Sequence, residues 1–426
     1  MSKASCVISC PIDTYSGYGA RSRDFVKAVI QAKPDWDVKV ISQRWGNTRF
    51  GYLKDHKEYD LVGRIVPNLT SQPDIWMQIT VPNEFQPIGK FNIGVTAGIE
   101  TTLCHMDWIQ GCNRMNMILT SSNHSKKVFE ETIWTVEDKQ ANQKKEIRLN
   151  KPVHVLFEGV RTDTYFKTSD IELPELDTIK EKFCFLFVGH WMQGEFGHDR
   201  KNVGYTVKSF LETFKNKNNP PALILKTHEV GTSIMDREKI LKKINSIRKS
   251  VKGNLPNIYL LHGEMTDKEI NDLYNHPKVK AMLSFNKGEG FGRPLLEFTT
   301  TGKPVIASNW SGQVDFLNKD FSFLIGGDLE NVHKSASVPK IIMTEAKWFK
   351  PNDGQVGAIL KASFKNYKDF LAKSRKHVKY TKDNFSYTKM VEATRVLFDE
   401  NIPEFAQKVE LNLPKLKLPK LKKIDG

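Results

Sequence analysis

Short apolar runs alternate with amphipathic helical patterns along almost the whole chain, and this alternation most narrows the folds open to it. Runs at residues 6–11, 38–42, 75–81, 93–97 and 117–121 read as strands, with helical spacing over 24–30 and again from about 125. Strands separated by helices argue for a parallel sheet covered on both faces, because each crossover returns the chain to the same end of the sheet. Between 139 and 151 the pattern gives way to a lysine-rich stretch with no sustained apolar face, which marks a domain boundary. A second set follows at 153–157, 183–188, 222–226, 258–261, 281–285 and 305–308, separated by helical patterns at 204–214, 236–249, 267–274 and 295–301. At 426 residues the chain exceeds one ordinary core. Two Rossmann-like α/β domains, 1–150 and 151–385, are the expected organisation.

With 39% hydrophobic and 27% charged residues, the chain suits a globular protein with buried cores. No run approaches the ~18 apolar residues of a membrane span, and Met1-Ser-Lys-Ala-Ser5 passes into a strand pattern without the layout of a signal peptide. The five cysteines, Cys6, Cys10, Cys104, Cys112 and Cys184, lack the paired spacing of a zinc site or disulfide framework. Together these point to reduced thiols in a cytoplasmic protein, in the host cytoplasm if the source is viral. The net charge of +15 favours polyanionic partners such as nucleic acid, acidic lipid surfaces or phosphorylated substrates, although lysines spread along the chain also suit simple solubility. The tail, 409–426, repeats Leu413-Pro-Lys-Leu-Lys417 as Leu418-Pro-Lys-Leu-Lys422, and its prolines exclude a continuous helix. It reads as an extended basic appendage, either merely solvated or in contact with anionic membrane or nucleic acid.

The segment richest in chemistry is Phe285-Asn-Lys-Gly-Glu289-Gly-Phe-Gly-Arg-Pro294-Leu-Leu-Glu297. It starts where an apolar strand ends and enters a helix with Pro294 as expected first residue. That places it at the carboxyl end of a parallel strand, where open α/β sheets bind ligands. Gly288, Gly290 and Gly292 permit close backbone approach, and the helix start aims unpaired N–H groups at an anion such as a diphosphate. Glu289 would then project toward a sugar, and Glu297 could accept hydrogen bonds from ribose hydroxyls. A dinucleotide-binding fold uses the same device, so the loop alone does not choose between them.

Two glutamates separated by seven residues, followed by Gly302-Lys-Pro-Val-Ile-Ala-Ser308, resemble the signature of retaining GT-B glycosyltransferases of family 4. The resemblance implies Glu289 against the donor sugar, Glu297 on the ribose, and Gly290, Phe291 and Gly292 lining the donor. Phe187-Val-Gly-His190 followed by Asp199-Arg-Lys-Asn202 resembles the family's strand, glycine and downstream basic pair. This implies Arg200 and Lys201 on the diphosphate, where they neutralise charge growing on the leaving group; Lys201 is thereby catalytic as well. His190 stands where the family commonly has arginine, and 191–199 is an insertion. Glu158-Gly-Val-Arg-Thr-Asp163 resembles the family's turn after the first strand of the second domain.

In Ser16-Gly-Tyr-Gly-Ala20 the resemblance sets Gly17 and Gly19 against donor phosphates and acceptor, while a tight strand-to-helix turn explains them equally. After the fourth strand the family often has a histidine, where this chain has Ala97 and Gly98. Glu100 is the nearest titratable group, a candidate catalytic base or acceptor contact, with His105 the alternative acceptor residue. Trp108 and Trp191 suit either core packing or stacking on a sugar or base. Asn384-Phe-Ser-Tyr387 and a helix over about 386–408 resemble the GT-B crossover that packs back onto the first domain.

The resemblance thus implies transfer of a sugar from a nucleoside-diphosphate sugar, with retention, without metal or other cofactor and without a covalent nucleophile, in a cleft between two facing parallel sheets. Charge alone guides the acceptor. A hydroxymethylated pyrimidine in DNA, as glycosylated by bacteriophage enzymes of similar fold, suits +15; so does a lipid-linked or polysaccharide acceptor at an anionic membrane surface. A Rossmann oxidoreductase would need a third glycine that Gly17-Tyr-Gly19-Ala-Arg-Ser22 lacks. A non-catalytic binding protein that kept the fold is the remaining alternative.

Overall fold

A computed structural model describes residues 4–138, 143–229 and 231–405. In the first half, β1 (Ser5–Cys10), α1 (Gly17–Ala32), β2 (Asp37–Ser42), α2 (Tyr52–Asp55), α3 (Tyr59–Val62), β3 (Ile75–Ile79), β4 (Phe91–Val95), α4 (Met106–Asn113), β5 (Met117–Thr120), α5 (Asn123–Glu131), β6 (Ile133–Asp138), β7 (Gln143–Arg148) and β8 (Val153–Val155) follow in order. Six of these strands form a parallel sheet in the order β2-β1-β3-β4-β5-β8. β3 and β5 are buried along their whole length, as expected of strands covered on both faces.

Two expectations are corrected in this half. The run 153–157, read as opening the second domain, supplies β8, which pairs with β5, so the first sheet extends past residue 151. Within the stretch read as a boundary, residues 143–148 form β7, which pairs antiparallel with β6, Ile133 opposite Arg148 and Trp134 opposite Ile147. Ile147 and Leu149 pack on the first core from one face of that ribbon. Their period-two spacing is the signal that the neighbouring lysines obscured.

The second half contains β9 (Cys184–Val188), α6 (Val203–Phe214), β10 (Ala222–Lys226), α7 (Ile234–Ser250), β11 (Ile258–Leu261), α8 (Asp267–Asn275), β12 (Val279–Ser284), α9 (Arg293–Thr299), β13 (Val305–Ser308) and β14 (Phe323–Ile325). They build a second six-stranded parallel sheet in the order β11-β10-β9-β12-β13-β14. Alternation along β9 sends Phe185 and Phe187 into one core with Phe210 and Phe214 of α6, and Cys184 and Leu186 into another with Tyr274 and Phe298. An antiparallel pair follows, β15 (Gly327–Asn331) and β16 (Lys347–Pro351), and then α10 (Asp353–Lys365), α11 (Tyr367–Phe385) and α12 (Tyr387–Asn401).

α12 returns to the first half. Met390, Val391 and Phe398 join the core containing Phe25 and Val29 of α1, and Phe398 stacks on Trp36 with centroids 5.6 Å apart. The crossing is fixed where the Val160 N–H donates to Phe385 O and the Tyr387 N–H donates to Val160 O. The helix ends at Asn401, and the basic tail lies outside the described residues. Strand order reverses between β1 and β3 in one sheet and between β9 and β12 in the other, which opens a crevice at their carboxyl ends.

Candidate active site

Loops after β9, β12 and β13 converge with the loop after β4 of the other sheet. Asn202, in a left-handed conformation (φ 56°), starts α6, and its amide donates to Phe285 O at 2.9 Å. The Lys287 N–H donates to Arg200 O at 2.8 Å. Arg200 and Lys201 are thereby pinned between the ends of β9 and β12. Lys201 Nζ lies 2.5 Å from Glu289 Oε1, and Arg200 Nη1 lies 3.3 Å from Glu289 Oε2 and 2.9 Å from Gly288 O. On its other side Arg200 reaches Glu100 of the first domain, Nη2 to Oε1 at 3.5 Å.

Burial pushes the Glu289 carboxyl up, but Lys201 and Arg200 outweigh it and hold the group below the usual carboxylate range. Burial likewise pulls Lys201 below the usual ammonium range against the attraction of Glu289. Arg200, though buried, is held above its ordinary value by Glu100 and Glu289. Two cations and two carboxylates thus meet in one largely buried corner. His190 sits near them, its ring 4.1 Å from that of His228; although the residue is exposed, partial desolvation in the crevice, then His228, Lys201 and Arg200, shift its pKa downward.

The sequence did not single out Ser311. Its backbone is left-handed (φ 67°), its Oγ accepts the Glu289 N–H at 2.8 Å, and the next N–H, of Gly312, donates to Glu289 O at 2.9 Å. Both backbone groups of Glu289 are therefore held by the turn after β13.

The glycines of the donor loop act partly between domains. A Cβ on Gly288 would lie 1.9 Å from Glu100 O, and one on Gly290 would lie 2.3 Å from Ala97 O. Ser121 Oγ of the first domain donates to Gly290 O at 3.3 Å. Gly292 has φ 103° and caps α9, a helix of seven residues in which Pro294 is not the first residue. So short a helix contributes little dipole, and the nearby charge is that of Arg200 and Lys201. The Phe291 ring packs on Phe316, centroids 5.0 Å apart, in the core. Only its backbone remains available to a ligand.

Glu297 accepts from Tyr274 OH at 3.2 Å and from Arg293 Nε at 3.0 Å. Arg293 also reaches Asp24 of α1, Nη2 to Oδ2 at 2.6 Å, so one guanidinium joins the two domains. Burial outweighs Arg293 and raises the Glu297 carboxyl to about 7. Neither Arg293 nor Tyr274 was legible in advance.

In the first domain, a Cβ on Gly19 would lie 2.2 Å from Thr14 O, so that glycine answers to the tight turn, whereas Gly17 faces open space at the start of α1. His105 caps α4, its Nδ1 accepting the Asp107 N–H at 3.1 Å, and its ring lies near Trp134. It makes none of the contacts that join Glu100, Arg200, Lys201 and Glu289. Trp108 and Trp191 are core residues. The β15–β16 pair borders the site: the Phe349 N–H donates to Lys287 O, and the Thr102 N–H donates to Lys347 O, both at 2.9 Å. The insertion at 191–199 packs against the same region through Gln193 and Glu195, which bond Ser335.

The chain has one Asp-x-Asp triplet, Asp35-Trp-Asp37, and it lies at the amino end of β2, opposite the crevice. No cluster of three or more potential metal ligands occurs among the described residues. No helix among them is long and apolar enough to cross a membrane. A cavity lined in part by Asn309, Asp315, Lys319, Lys373 and Tyr380 shares no residue with the site.

Residues 245–332, which hold the whole Glu289–Glu297 segment, match the family model "Glycosyl transferases group 1". No curated protein sequence matches the chain. Among solved structures, a glycosyltransferase from Rickettsia africae is similar at 13% identity and a TM-score of 0.62, over 94% of this chain and 99% of that one. Anabaena Alr3699/HepE in complex with UDP and glucose is similar at 11% identity and 0.61, over 93% and 100%. WaaG, a glycosyltransferase involved in lipopolysaccharide biosynthesis, is similar at 14% identity and 0.54, over 92% and 99%. The GT-B architecture of two facing Rossmann-like sheets is common ground with them.

Proposed function

We propose that this chain, a retaining group 1 glycosyltransferase, takes its sugar from a uridine-diphosphate donor and places it on a hydroxymethylated pyrimidine in DNA. The observation that carries the donor half is the corner where Arg200 and Lys201 share Glu289. Without donor, that carboxylate pairs with both cations, and Glu100 pairs with Arg200 as well. A diphosphate brings more negative charge to the same pair, which frees Glu289 to accept from the hydroxyls of the sugar. As the bond to phosphate breaks, Lys201 and Arg200 stabilise the charge that develops. Glu297 accepts the ribose hydroxyls once Arg293 and Tyr274 yield part of its oxygens.

The leaving phosphate assists deprotonation of the incoming hydroxyl on the same face, and no covalent nucleophile is invoked. Glu100, at the first-domain edge of the corner, orients the acceptor. The acceptor half rests on the net charge of +15. UDP release from UDP-glucose, with and without DNA containing 5-hydroxymethylcytosine, tests both halves. Loss of release in both Lys201→Ala and Glu297→Ala supports the donor site, and unchanged release in both refutes it. Transfer that needs anionic vesicles rather than DNA would move the acceptor to a membrane surface.

A further inference from the structure

The loop after β2, Gln43-Arg-Trp-Gly-Asn-Thr-Arg-Phe50, borders the same crevice, and none of its residues belongs to the corner formed by Glu100, Arg200, Lys201 and Glu289. The half-buried Trp45 ring lies on the Tyr18 ring, centroids 3.9 Å apart and 19° from parallel. Tyr18 follows Gly17; its OH lies 3.2 Å from Thr96 Oγ1 and accepts the Ala97 N–H at 3.2 Å. Ala97 O is the atom that faces Gly290 of the donor loop. A continuous path of contacts thus runs from Trp45 through Tyr18 and Ala97 to the residue beside Glu289. At its far end the loop crosses the crevice, where Arg49 Nη1 pairs with Glu264 Oε2 at 2.9 Å, just past β11.

The composition of the loop indicates what it suits. Arg49 lies over the Tyr15 ring at 4.5 Å and the exposed Arg44 lies 5.6 Å from the Phe50 ring, so guanidinium groups and rings interleave within a few residues. Flat rings beside exposed cations are the means by which proteins hold single-stranded nucleic acid, the base on the ring and the phosphate on the cation. Duplex DNA would have to present its target base unstacked, as enzymes acting on bases require.

We propose that Trp45, braced by Tyr18, is the platform on which the acceptor's pyrimidine base stacks, with Arg44 taking an adjacent phosphate and Arg49 anchoring the loop across the crevice. This rests on the DNA half of the function proposed above. The donor half is independent of it, so the two can fail separately.

The test measures fluorescence anisotropy of a labelled single-stranded oligonucleotide carrying 5-hydroxymethylcytosine, alongside thermal stabilisation by UDP-glucose. Trp45→Ala is expected to weaken oligonucleotide binding about ten-fold or more, and Trp45→Phe to retain it within about three-fold, because any ring face supports stacking. Arg44→Ala, an exposed change that leaves the platform intact, is expected to lower the slope of log affinity against log salt by about 0.7. Stabilisation by UDP-glucose in each variant certifies a folded donor site. Wild-type binding that is absent at low salt, or unchanged in Trp45→Ala, overturns the proposal. So does a Trp45→Ala protein that keeps its DNA affinity and loses the UDP-glucose response, since the ring would then serve the donor's base.

Discussion

Glu289 is held at both ends: Lys201 and Arg200 at the carboxylate, Ser311 and Gly312 at the backbone. The two cations are what a diphosphate needs, so Lys201→Ala is expected to lower kcat/KM by ~10²–10³, the effect of removing one donor aimed at developing charge. Steady-state release of UDP measures it. Glu297 gives a pH signature. Its carboxyl is raised to about 7, and a ribose favours the ionised acceptor, so donor affinity rises as pH increases through about 7. UDP-glucose is the proper probe, because its diphosphate does not titrate there. Glu297→Gln should flatten the profile, and an unaltered profile would assign it elsewhere. Local motifs single out both glutamates and both cations in the sequence, and the structure brings Glu289, Arg200 and Lys201 together. Ser311, Arg293 and Tyr274 were not legible there, since a serine in a turn after β13 or a tyrosine on α8 acquires meaning only through the group it meets. The Phe291 ring and Gly19 answer to the core and to the tight turn beneath them, as a ring or glycine in a motif can do whether or not it also meets a ligand.

Secondary-structure elements were legible where burial is two-sided and the apolar run is continuous, as in β9, β10 and β12. The β6–β7 ribbon was hidden because it is mostly exposed, and its register depends on cross-strand partners rather than on composition. β8 was assigned to the wrong sheet for a related reason: a three-residue strand carries no mark of its neighbour. α9 has the seven residues expected of it but begins two positions earlier, at Arg293, because Gly292 closes the donor loop there. α12 was anticipated, and its attachment can be tested. Phe398 is 1% exposed in the core of the first domain, so Phe398→Ala is expected to lower stability by ~3–5 kcal/mol in chemical denaturation. A loss under about 1 kcal/mol would mean that α12 does not hold that core together.

At the scale of the molecule, the two sheets were foreseeable and their mutual fit was not. Gly288 and Gly290 press against Glu100 O and Ala97 O, partners nearly two hundred positions away, and nothing in a local glycine-rich pattern announces such a neighbour. A methyl group at Gly288 would meet backbone that cannot swing aside. Gly288→Ala is therefore expected to separate the domains, raising the radius of gyration in solution scattering and lowering transfer while leaving each sheet folded. An unchanged radius with normal transfer would show that the contact is dispensable. Net charge, by contrast, belongs to the whole chain and speaks to partners without locating them. The central claim remains the donor corner, and thermal stabilisation by UDP-glucose tests it most directly. The wild type should gain stability in proportion to the logarithm of donor concentration over its dissociation constant, and Lys201→Ala should require far more donor for the same gain. Equal stabilisation of the two proteins, or none in the wild type with any nucleoside-diphosphate sugar, would contradict it.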